Sequence, residues 1–195
     1  MLTLKIQPLE TSRLRLRKLT PEDAPLFYAR LGGNENVAKY MLWKPHTNIE
    51  ESVASIQKVL KRYETGESCR WAIALKGSDE IIGIIDLLMR DEAAGICSFA
   101  YMLAESHWNQ GYGTEALEAV MAFAFTRCGI QRIEADHFAM NPASGAVMKK
   151  VGMQYRETIP GKYEKNGVLH DAVCYVLTRE DWQIFSKERT PADNS

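Results

Sequence analysis

The sequence predicts a single mixed α+β domain built on a mostly antiparallel sheet. Strand-like segments follow one another with only short turns between them, and such connections favour antiparallel pairing. Amphipathic helical segments precede and follow these strands, so helices are expected to flank the sheet. The chain of 195 residues shows no repeat, low-complexity segment or linker, and it is long enough to form one core.

The first third of the chain contains one predicted strand and two predicted helices. Residues 13–18 alternate basic side chains with leucines, which indicates a strand with one solvated basic face rather than a nucleic-acid patch. A hydroxyl, a proline and two acids at 20–23 start a helix that ends at a glycine pair. Thr47 and Glu50 resemble a capping box, and the apolar stripe after them predicts a second helix that stops at Gly66.

The rest of the chain alternates between strands and helices. Three strand-like segments, separated by turn-prone residues, form a meander over 70–76, 81–88 and 96–103. A polar turn with two glycines then leads into an amphipathic helix that ends near Cys128. The last elements are a strand at 132–138, a helix at 142–151 and two strands at 154–163 and 168–177. The polar residues 186–195 are expected to form a frayed tail.

Composition narrows the class of protein. A net charge of −1 and a pI of about 6.4 argue against a nucleic-acid surface. No apolar run approaches the roughly 18 residues of a membrane span, and no signal peptide is recognisable. The cysteines are far apart in sequence and lack a CxxC pair, so we expect free, mostly buried thiols at Cys69, Cys97, Cys128 and Cys174. A cytoplasmic enzyme with no DNA, membrane or metal partner fits these features.

The glycine turn carries most of the functional information. It lies within residues 108–117, directly before a predicted helix. Glycine lets the backbone approach a ligand closely, and the first turn of a helix has N–H groups without a partner in the helix. Those donors and the positive end of the helix dipole form a site for a phosphate. The turn therefore predicts a loop that binds a pyrophosphate.

The same turn formally satisfies a dinucleotide fingerprint, which would indicate a nicotinamide-dependent oxidoreductase. Gly111, Gly113 and Ala116 have the required spacing, and Glu134 lies about twenty residues on, where a ribose-binding acid would sit. The fingerprint normally opens a βαβ unit directly after a strand. Here residues 104–110 separate the glycines from the strand, and the preceding strands form a meander. The oxidoreductase is therefore the second hypothesis.

Three segments resemble the GNAT superfamily of acyl-CoA N-acyltransferases, and within it the branch of the ribosomal-protein alanine N-acetyltransferases. Residues 9–17 (LETSRLRLR) are typical of the first strand of that branch, and 108–116 (WNQGYGTEA) is similar to its acetyl-CoA motif. Residues 141–144 (NPAS), with 150–153 (KVGM), are similar to its second cofactor motif. The resemblance spans residues 9–180 and implies one N-acetyltransferase domain.

This resemblance implies a mixed sheet that splays open at a site for acetyl-CoA. The backbone of 110–114 would hold the pyrophosphate, the end of the 96–103 strand would pair with the pantetheine arm, and Asn141 would bind that arm from the other side. Trp108 stands where the wider superfamily has glutamine or arginine, a change that the branch tolerates. The residues expected to contact acetyl-CoA are Met102, Leu103, Trp108, Asn109, Gln110, Gly111, Tyr112, Gly113, Thr114, Asn141, Ser144 and Lys150.

Direct acetyl transfer needs a neutral amine, a stabilised oxyanion and a thiolate that can leave. The oxyanion would be met by a strand-end N–H near Met102 or Leu103. The position of the tyrosine acid of many superfamily members is Met148 here, so Ser144 is the best-placed hydroxyl by analogy with the branch. The alternative for Ser144 is a helix-capping role. His137, four residues before Asn141, could act as a base, directly or through a water, or fill a core or pocket-wall position.

Two acids are further candidates for the base. Glu105 lies just past the strand end. It would be either a base or an ordinary exposed acid of a loop. Asp86 stands among isoleucines and would either line the cleft or face solvent. The weakness of this acid–base machinery favours an acceptor α-amine, on a protein N-terminus or a small molecule. The pKa of an α-amine is about 7.7–8.0, whereas that of a lysine side chain is about 10.4.

Three hypotheses of different classes therefore stand. The first is an acetyl-CoA-dependent N-acetyltransferase, and the second is the oxidoreductase. The third is a catalytically silent acyl-CoA-binding module, which the missing tyrosine and the lack of an evident base support. For the assembly of the protein, a homodimer stays an open alternative.

Overall fold

The computed structural model describes residues 4–65 and 69–189. These residues form the strands β1 (Leu9–Glu10), β2 (Leu14–Arg17), β3 (Cys69–Leu75), β4 (Ile81–Asp91), β5 (Ile96–Leu103), β6 (Arg132–Phe138), β7 (Gln154–Lys165) and β8 (Val168–Thr178). They also form the helices α1 (Ala24–Phe27), α2 (Glu35–Ala38), α3 (Ile49–Thr65), α4 (Tyr112–Arg127), α5 (Pro142–Lys150) and α6 (Arg179–Arg189). The predicted helix stop at Gly66 lies outside the described residues.

One eight-stranded sheet runs through the domain in the order β1-β2-β3-β4-β5-β6-β8-β7. Neighbouring strands pair antiparallel except β5 and β6, which are parallel. Antiparallel neighbours can be joined by short turns, whereas a parallel pair needs a crossover, which α4 supplies here. The predicted meander of β3, β4 and β5 is confirmed.

The sheet opens between β5 and β6. These two strands pair only at residues 96–98 with 132–134. Beyond that point β5 continues to pair with β4 as far as Leu103, and β6 continues to pair with β8 as far as Phe138. Residues 99–103 and 135–138 therefore flank a gap, with one free backbone edge on each side. This confirms the splayed, mostly antiparallel sheet that the resemblance implied.

Helices cover the two faces of the sheet with separate apolar clusters. On the α4 face, helices α4 and α5 pack over a cluster that includes Trp71 and Leu103. On the α3 face, helices α1 and α3 pack over a second cluster that includes Ile84 and Met102. Successive side chains of a strand point to opposite faces, so Leu103 and Met102 belong to different clusters. The β5 residues at the edge of the gap therefore alternate between the two clusters.

The helical region before β3 is less regular than predicted. A 3-10 turn at Pro21–Asp23 and a π turn at Tyr28–Gly32 flank α1, and α2 is a short helix that the sequence pattern does not predict. The cap of α3 lies one residue later than expected. The Asn48 side chain accepts a hydrogen bond from the Glu51 N–H, and the Glu51 carboxylate accepts one from the Thr47 N–H, both at 3.1 Å. The cap forms one residue later because Asn48 is itself a strong capping residue.

The C-terminal segment contains a helix where a frayed tail was expected. Residues 186–189 belong to α6, and 190–195 lie outside the described residues. The Thr178 hydroxyl donates to the Asp181 carboxylate at 2.6 Å and accepts from the Asp181 N–H at 3.1 Å, which caps the helix start. Trp182 stacks on Phe125 of α4 with ring centroids 5.3 Å apart. Contacts with α4 thus stabilise a helix whose polar sequence shows only weak helical periodicity.

The cysteines behave as the composition predicts. Cys69, Cys97, Cys128 and Cys174 are free and buried. Burial raises the pKa of the Cys69 and Cys97 thiols to about 12, which keeps both protonated and unreactive at neutral pH. Among the described residues, no helix has the length and apolar character needed to cross a bilayer.

Candidate active site

The glycine loop, residues 108–114, connects the end of β5 to α4. Asn109 and Gly111 have φ angles of 59° and 81°, so the backbone enters the left-handed region twice within three residues. The first backbone hydrogen bond of α4 joins the Glu115 N–H to the Gly111 carbonyl at 3.0 Å. The N–H groups of residues 112–114 therefore have no partner within the helix. They lie at the positive end of the helix dipole, where an anion is stabilised.

Two side chains fix the glycine loop to its surroundings. The Trp108 indole donates to the Leu103 carbonyl at 2.8 Å, and the Gln110 amide donates to the Ser106 carbonyl at 2.8 Å. Gly113 lets the helix start lie against β5, because a Cβ there would be 3.3 Å from the Leu103 side chain. Trp108, expected among the cofactor contacts, thus ties the loop to the strand end.

The free edge of β5 presents backbone groups to the gap. The Ala104 N–H donates to the Ile82 carbonyl of β4 at 2.8 Å. Alternate residues of an antiparallel strand point toward the same neighbour, so the Met102 N–H also faces β4, whereas the Leu103 and Tyr101 N–H groups face the gap. Of the two residues expected at the strand end, Met102 thus directs its N–H into the sheet, and Leu103 directs its N–H toward the gap.

The second motif lies across the gap, where β6 ends. Asn141 is the N-cap residue of α5, yet its side chain makes no capping hydrogen bond, so the amide is available to a ligand. The two motifs are adjacent in space, because a Cβ on Gly113 would lie 3.9 Å from Val147 of α5. Lys150 is exposed in the last turn of α5, where the helix dipole favours its charge. Its contact with a CoA phosphate stays a prediction.

Tyr101 belongs to this site although the sequence pattern does not single it out. Its ring lies 3.4 Å from the position that a Cβ would take on Gly113. Burial raises the pKa of the Tyr101 phenol, and hydrogen bonding with Ser144 offsets this only in part. The phenol is therefore protonated at neutral pH and has the Ser144 hydroxyl as a polar neighbour. The alternation of β5 could have assigned Tyr101 to the α4 face, but only the fold places Ser144 opposite it.

His137 is enclosed behind α5. Its Nδ1 donates to the Phe138 carbonyl at 2.8 Å, and Nε2 lies on the other side of the ring. That Nε2 is buried without a hydrogen-bond partner among the described residues, and a Cβ on Gly145 would lie 2.6 Å from it. A base must reach the proton that it takes. The enclosed position of Nε2 argues against direct proton transfer from an acceptor amine and favours the pocket-wall alternative.

Glu105 is exposed just past the end of β5. Its carboxylate accepts two hydrogen bonds from the Asn36 amide, at 2.9 and 3.0 Å. It lines a cavity of about 370 Å³ together with residues of the α1–α2 region. Glu105 is thus a solvent-accessible carboxylate that lies two residues beyond Leu103. Its hydrogen-bond partner, the Asn36 amide, is neutral.

Asp86 neither lines an open cleft nor faces solvent, which corrects both expectations. Its side chain is 9% exposed and accepts two hydrogen bonds from Arg70, at 2.7 and 2.8 Å. Burial opposes the charge of Arg70, but pairing with Asp86 outweighs it and raises the pKa of the guanidinium. Asp86 is opposite Ala100 of β5, so this neutralised pair lies one strand away from the gap.

A second cavity, of about 500 Å³, spans β5, β6 and β7 around the point where the sheet opens. Glu134 and Asp136 line it from β6, on the face opposite the α4 cluster, because Ile133 and Ala135 belong to that cluster. The carboxylates of this cavity are paired: Glu134 with Arg156 and Arg132, Glu157 with Arg156, and Asp136 with Lys162 and the Tyr163 hydroxyl. Burial and the neighbouring Asp136 raise the pKa of Tyr163. The cavity is polar, yet its carboxylates are already engaged.

Comparison with known proteins agrees with this architecture. Residues 13–154 match the family model described as the acetyltransferase (GNAT) domain. The uncharacterised N-acetyltransferase p20 of Bacillus licheniformis is 30% identical over 178 residues, which cover 91% of this chain and 99% of the relative. The uncharacterised N-acetyltransferase YoaA of Bacillus subtilis is 28% identical over 171 residues, which cover 88% of this chain and 96% of the relative.

Solved structures share the fold. RimL, a ribosomal L7/L12 α-N-protein acetyltransferase in complex with coenzyme A, superposes with a TM-score of 0.79. The sequence identity is 21%, and the match covers 88% of this chain and 98% of that structure.

The oxidoreductase hypothesis is wrong, because the sheet topology and the position of Glu134 both contradict it. A dinucleotide fold needs a succession of parallel strands, whereas β5 and β6 are the one parallel pair in the described sheet. Glu134, the proposed ribose ligand, lies in the cavity on the other face and is paired with arginines. The family match covers the span from β2 to the start of β7, which includes the glycine loop and the second motif. The chain belongs to the GNAT family and is an acetyl-CoA-dependent N-acetyltransferase.

Proposed function

We propose that this enzyme acetylates the α-amine of a protein N-terminus or of a small molecule in preference to a lysine side chain. The observation that carries the proposal is the state of the candidate bases. His137 is enclosed, Asp86 is neutralised by Arg70, and Asp136 is engaged by Lys162 and Tyr163. Glu105 is accessible but exposed, so little at the gap would lower the cost of deprotonating a basic amine.

An α-amine suits such a site because much of it is already neutral near pH 7.5. Its reference pKa is about 7.7–8.0, whereas that of lysine is about 10.4. The difference of about 2.5 pK units corresponds to about 3.5 kcal/mol of additional deprotonation cost for lysine. RimL, which shares the fold, is an α-N-protein acetyltransferase, and this agrees with the proposed preference.

Competition between two matched peptides tests the acceptor. One has a free N-terminus and acetylated lysines, and the other has a blocked N-terminus and one free lysine. At pH 7.5 we expect the first to be acetylated faster, by up to about 300-fold if the deprotonation cost appears fully in the rate. Release of CoA thiol would measure both rates. A faster reaction of the lysine peptide would contradict the proposal and direct attention to Glu105 as an effective base.

On the donor side, each motif has a distinct role in the proposal. The N–H groups of residues 112–114 bind the pyrophosphate, and the Leu103 N–H faces the gap, where it can donate to the thioester oxygen as that oxygen gains charge. The neutral amine nitrogen adds to the acetyl carbon, the nitrogen of the adduct gives up one proton to solvent, and the oxyanion then collapses to the amide as the carbon–sulfur bond breaks. Ser144 donates a proton to the departing thiolate, Tyr101 supplies the proton that Ser144 gives up, and solvent returns a proton to Tyr101.

The Asn141 amide is proposed to hold the pantetheine arm, since α5 does not use it as a cap. Replacing Asn141 with alanine should weaken acetyl-CoA binding by about 1–3 kcal/mol, the cost of one or two hydrogen bonds. Calorimetry would measure the affinity. The pH–rate profile should not move, because an amide does not titrate in this range. A shifted profile with intact affinity would assign Asn141 a part in proton transfer instead.

A further inference from the structure

The turn between β1 and β2 surrounds the carboxylate of Glu115, which lies in the first turn of α4. Glu115 Oε1 accepts hydrogen bonds from the Thr11 hydroxyl at 2.5 Å, the Ser12 hydroxyl at 3.0 Å and the Arg13 N–H at 2.9 Å. Its Oε2 accepts from Arg13 Nε at 2.6 Å. Two parts of the chain 102 residues apart therefore meet at the start of the helix that carries the glycine loop.

The charge of Glu115 poses a problem for a phosphate site at this position. Burial alone would raise the pKa of the Glu115 carboxyl, but the hydrogen bonds from Thr11, Arg13 and Ser12 outweigh it and lower the pKa. The carboxylate is therefore ionised, and it lies one residue beyond the N–H donors of 112–114. An unpaired negative charge there would repel a pyrophosphate. Arg13 supplies the compensating positive charge.

Arg13 also reaches the glycine loop itself. Its Nη1 donates to the Gln110 carbonyl at 3.0 Å, and its guanidinium lies over the Tyr112 ring at 4.3 Å from the centroid. Its Nη2 would be 3.3 Å from a Cβ on Gly111 and makes no hydrogen bond to any described residue. The side chain is 45% exposed, so Nη2 remains accessible beside the loop.

We propose that Arg13 is a further acetyl-CoA-binding residue, which neutralises Glu115, holds the glycine loop and donates from Nη2 to the pyrophosphate. This inference rests on the proposed function, since it requires the loop to bind that group. The planar guanidinium suits the role because it serves three directions at once: Nε to Glu115, Nη1 to Gln110 and Nη2 to the phosphate. Lysine has one nitrogen and could not bridge all three.

The test compares acetyl-CoA with acetyl-pantetheine, which has the same thioester but no phosphate. Arg13→Gln is expected to weaken acetyl-CoA binding by about tenfold to a hundredfold, the range for hydrogen bonds to charged groups. It should leave acetyl-pantetheine binding unchanged. Arg15→Gln is the matched control: Arg15 lies two residues further on, in β2, is 44% exposed and pairs with Glu10 and Asp79 away from the loop. That variant should retain wild-type affinity for both compounds.

A second variant separates charge neutralisation from loss of structure. Adding Glu115→Gln to Arg13→Gln removes the uncompensated carboxylate and should restore acetyl-CoA affinity by several-fold. An Arg13→Gln protein that loses affinity for both compounds equally would show a merely structural role and overturn the inference, as would unchanged acetyl-CoA affinity. If wild-type protein binds acetyl-CoA no better than acetyl-pantetheine, the failure lies in the proposed pyrophosphate loop itself.

Discussion

Asp86→Ala is expected to lower the free energy of unfolding by about 3 kcal/mol, because it leaves the Arg70 guanidinium without its carboxylate. The two side chains form a bidentate pair at 2.7 and 2.8 Å in the middle of the sheet. Arg70 keeps 25% exposure, which places the expected cost at the lower end of that for a fully buried pair. Urea unfolding at pH 7.5 would measure the loss as a shift of the midpoint at constant slope.

Two further variants make this result interpretable. Glu80→Ala removes one partner of the exposed Glu80–Arg30 pair and should cost less than about 1 kcal/mol. The double variant Arg70→Met with Asp86→Leu should recover most of the stability, since an apolar pair of similar volume avoids the desolvation of both charges. If Asp86→Ala cost no more than Glu80→Ala, the pair would not be a major source of stability. The argument that Arg70 neutralises Asp86, and so removes it as a candidate base, would then weaken.

Local pattern predicted most of the fold. The limits of β5 and β6 agree with the predicted 96–103 and 132–138, because both strands alternate clearly and end at turn residues. The start of α4 was also predictable, since Gly111 and Gly113 mark the turn before a long amphipathic stretch. The opening of the sheet is different: it depends on where β5 stops pairing with β6, and no residue pattern in one strand encodes that. The family resemblance supplied it.

The site was less predictable because its important pairs are distant in sequence. Asp86 stood out as a polar residue among isoleucines, but its partner Arg70 lies on the neighbouring strand and has no distinctive local pattern. Arg13 was recognised only as part of a basic strand, and its contact with Glu115 spans 102 residues. His137 was conspicuous by residue type, yet the packing of α5 encloses it. Pattern identifies candidate chemistry, whereas long-range packing decides which groups are accessible.

Tyr101→Phe is expected to reduce kcat by about 10- to 100-fold while changing the KM for acetyl-CoA little. The phenylalanine keeps the ring that lies beside Gly113 and removes only the hydroxyl that interacts with Ser144. The expected loss is at the lower end of typical acid–base contributions, because a thiolate is already a tolerable leaving group. Tyr155→Phe is the control, since the Tyr155 hydroxyl contacts Thr158 on an exposed part of β7.

A double-mutant cycle and the pH profile distinguish proton transfer from packing. Ser144→Ala and Tyr101→Phe should each cost about as much as both together, because the two hydroxyls act as one unit in the proposal.

An acid must be protonated, so its contribution is present below its pKa and lost above it. Burial raises the pKa of Tyr101, and the wild-type rate should therefore decline only above the ordinary tyrosine value of about 10. The Tyr101→Phe rate should lack that alkaline decline. Additive losses, or a decline that persists in Tyr101→Phe, would show that the phenol does not take part in protonating the thiolate.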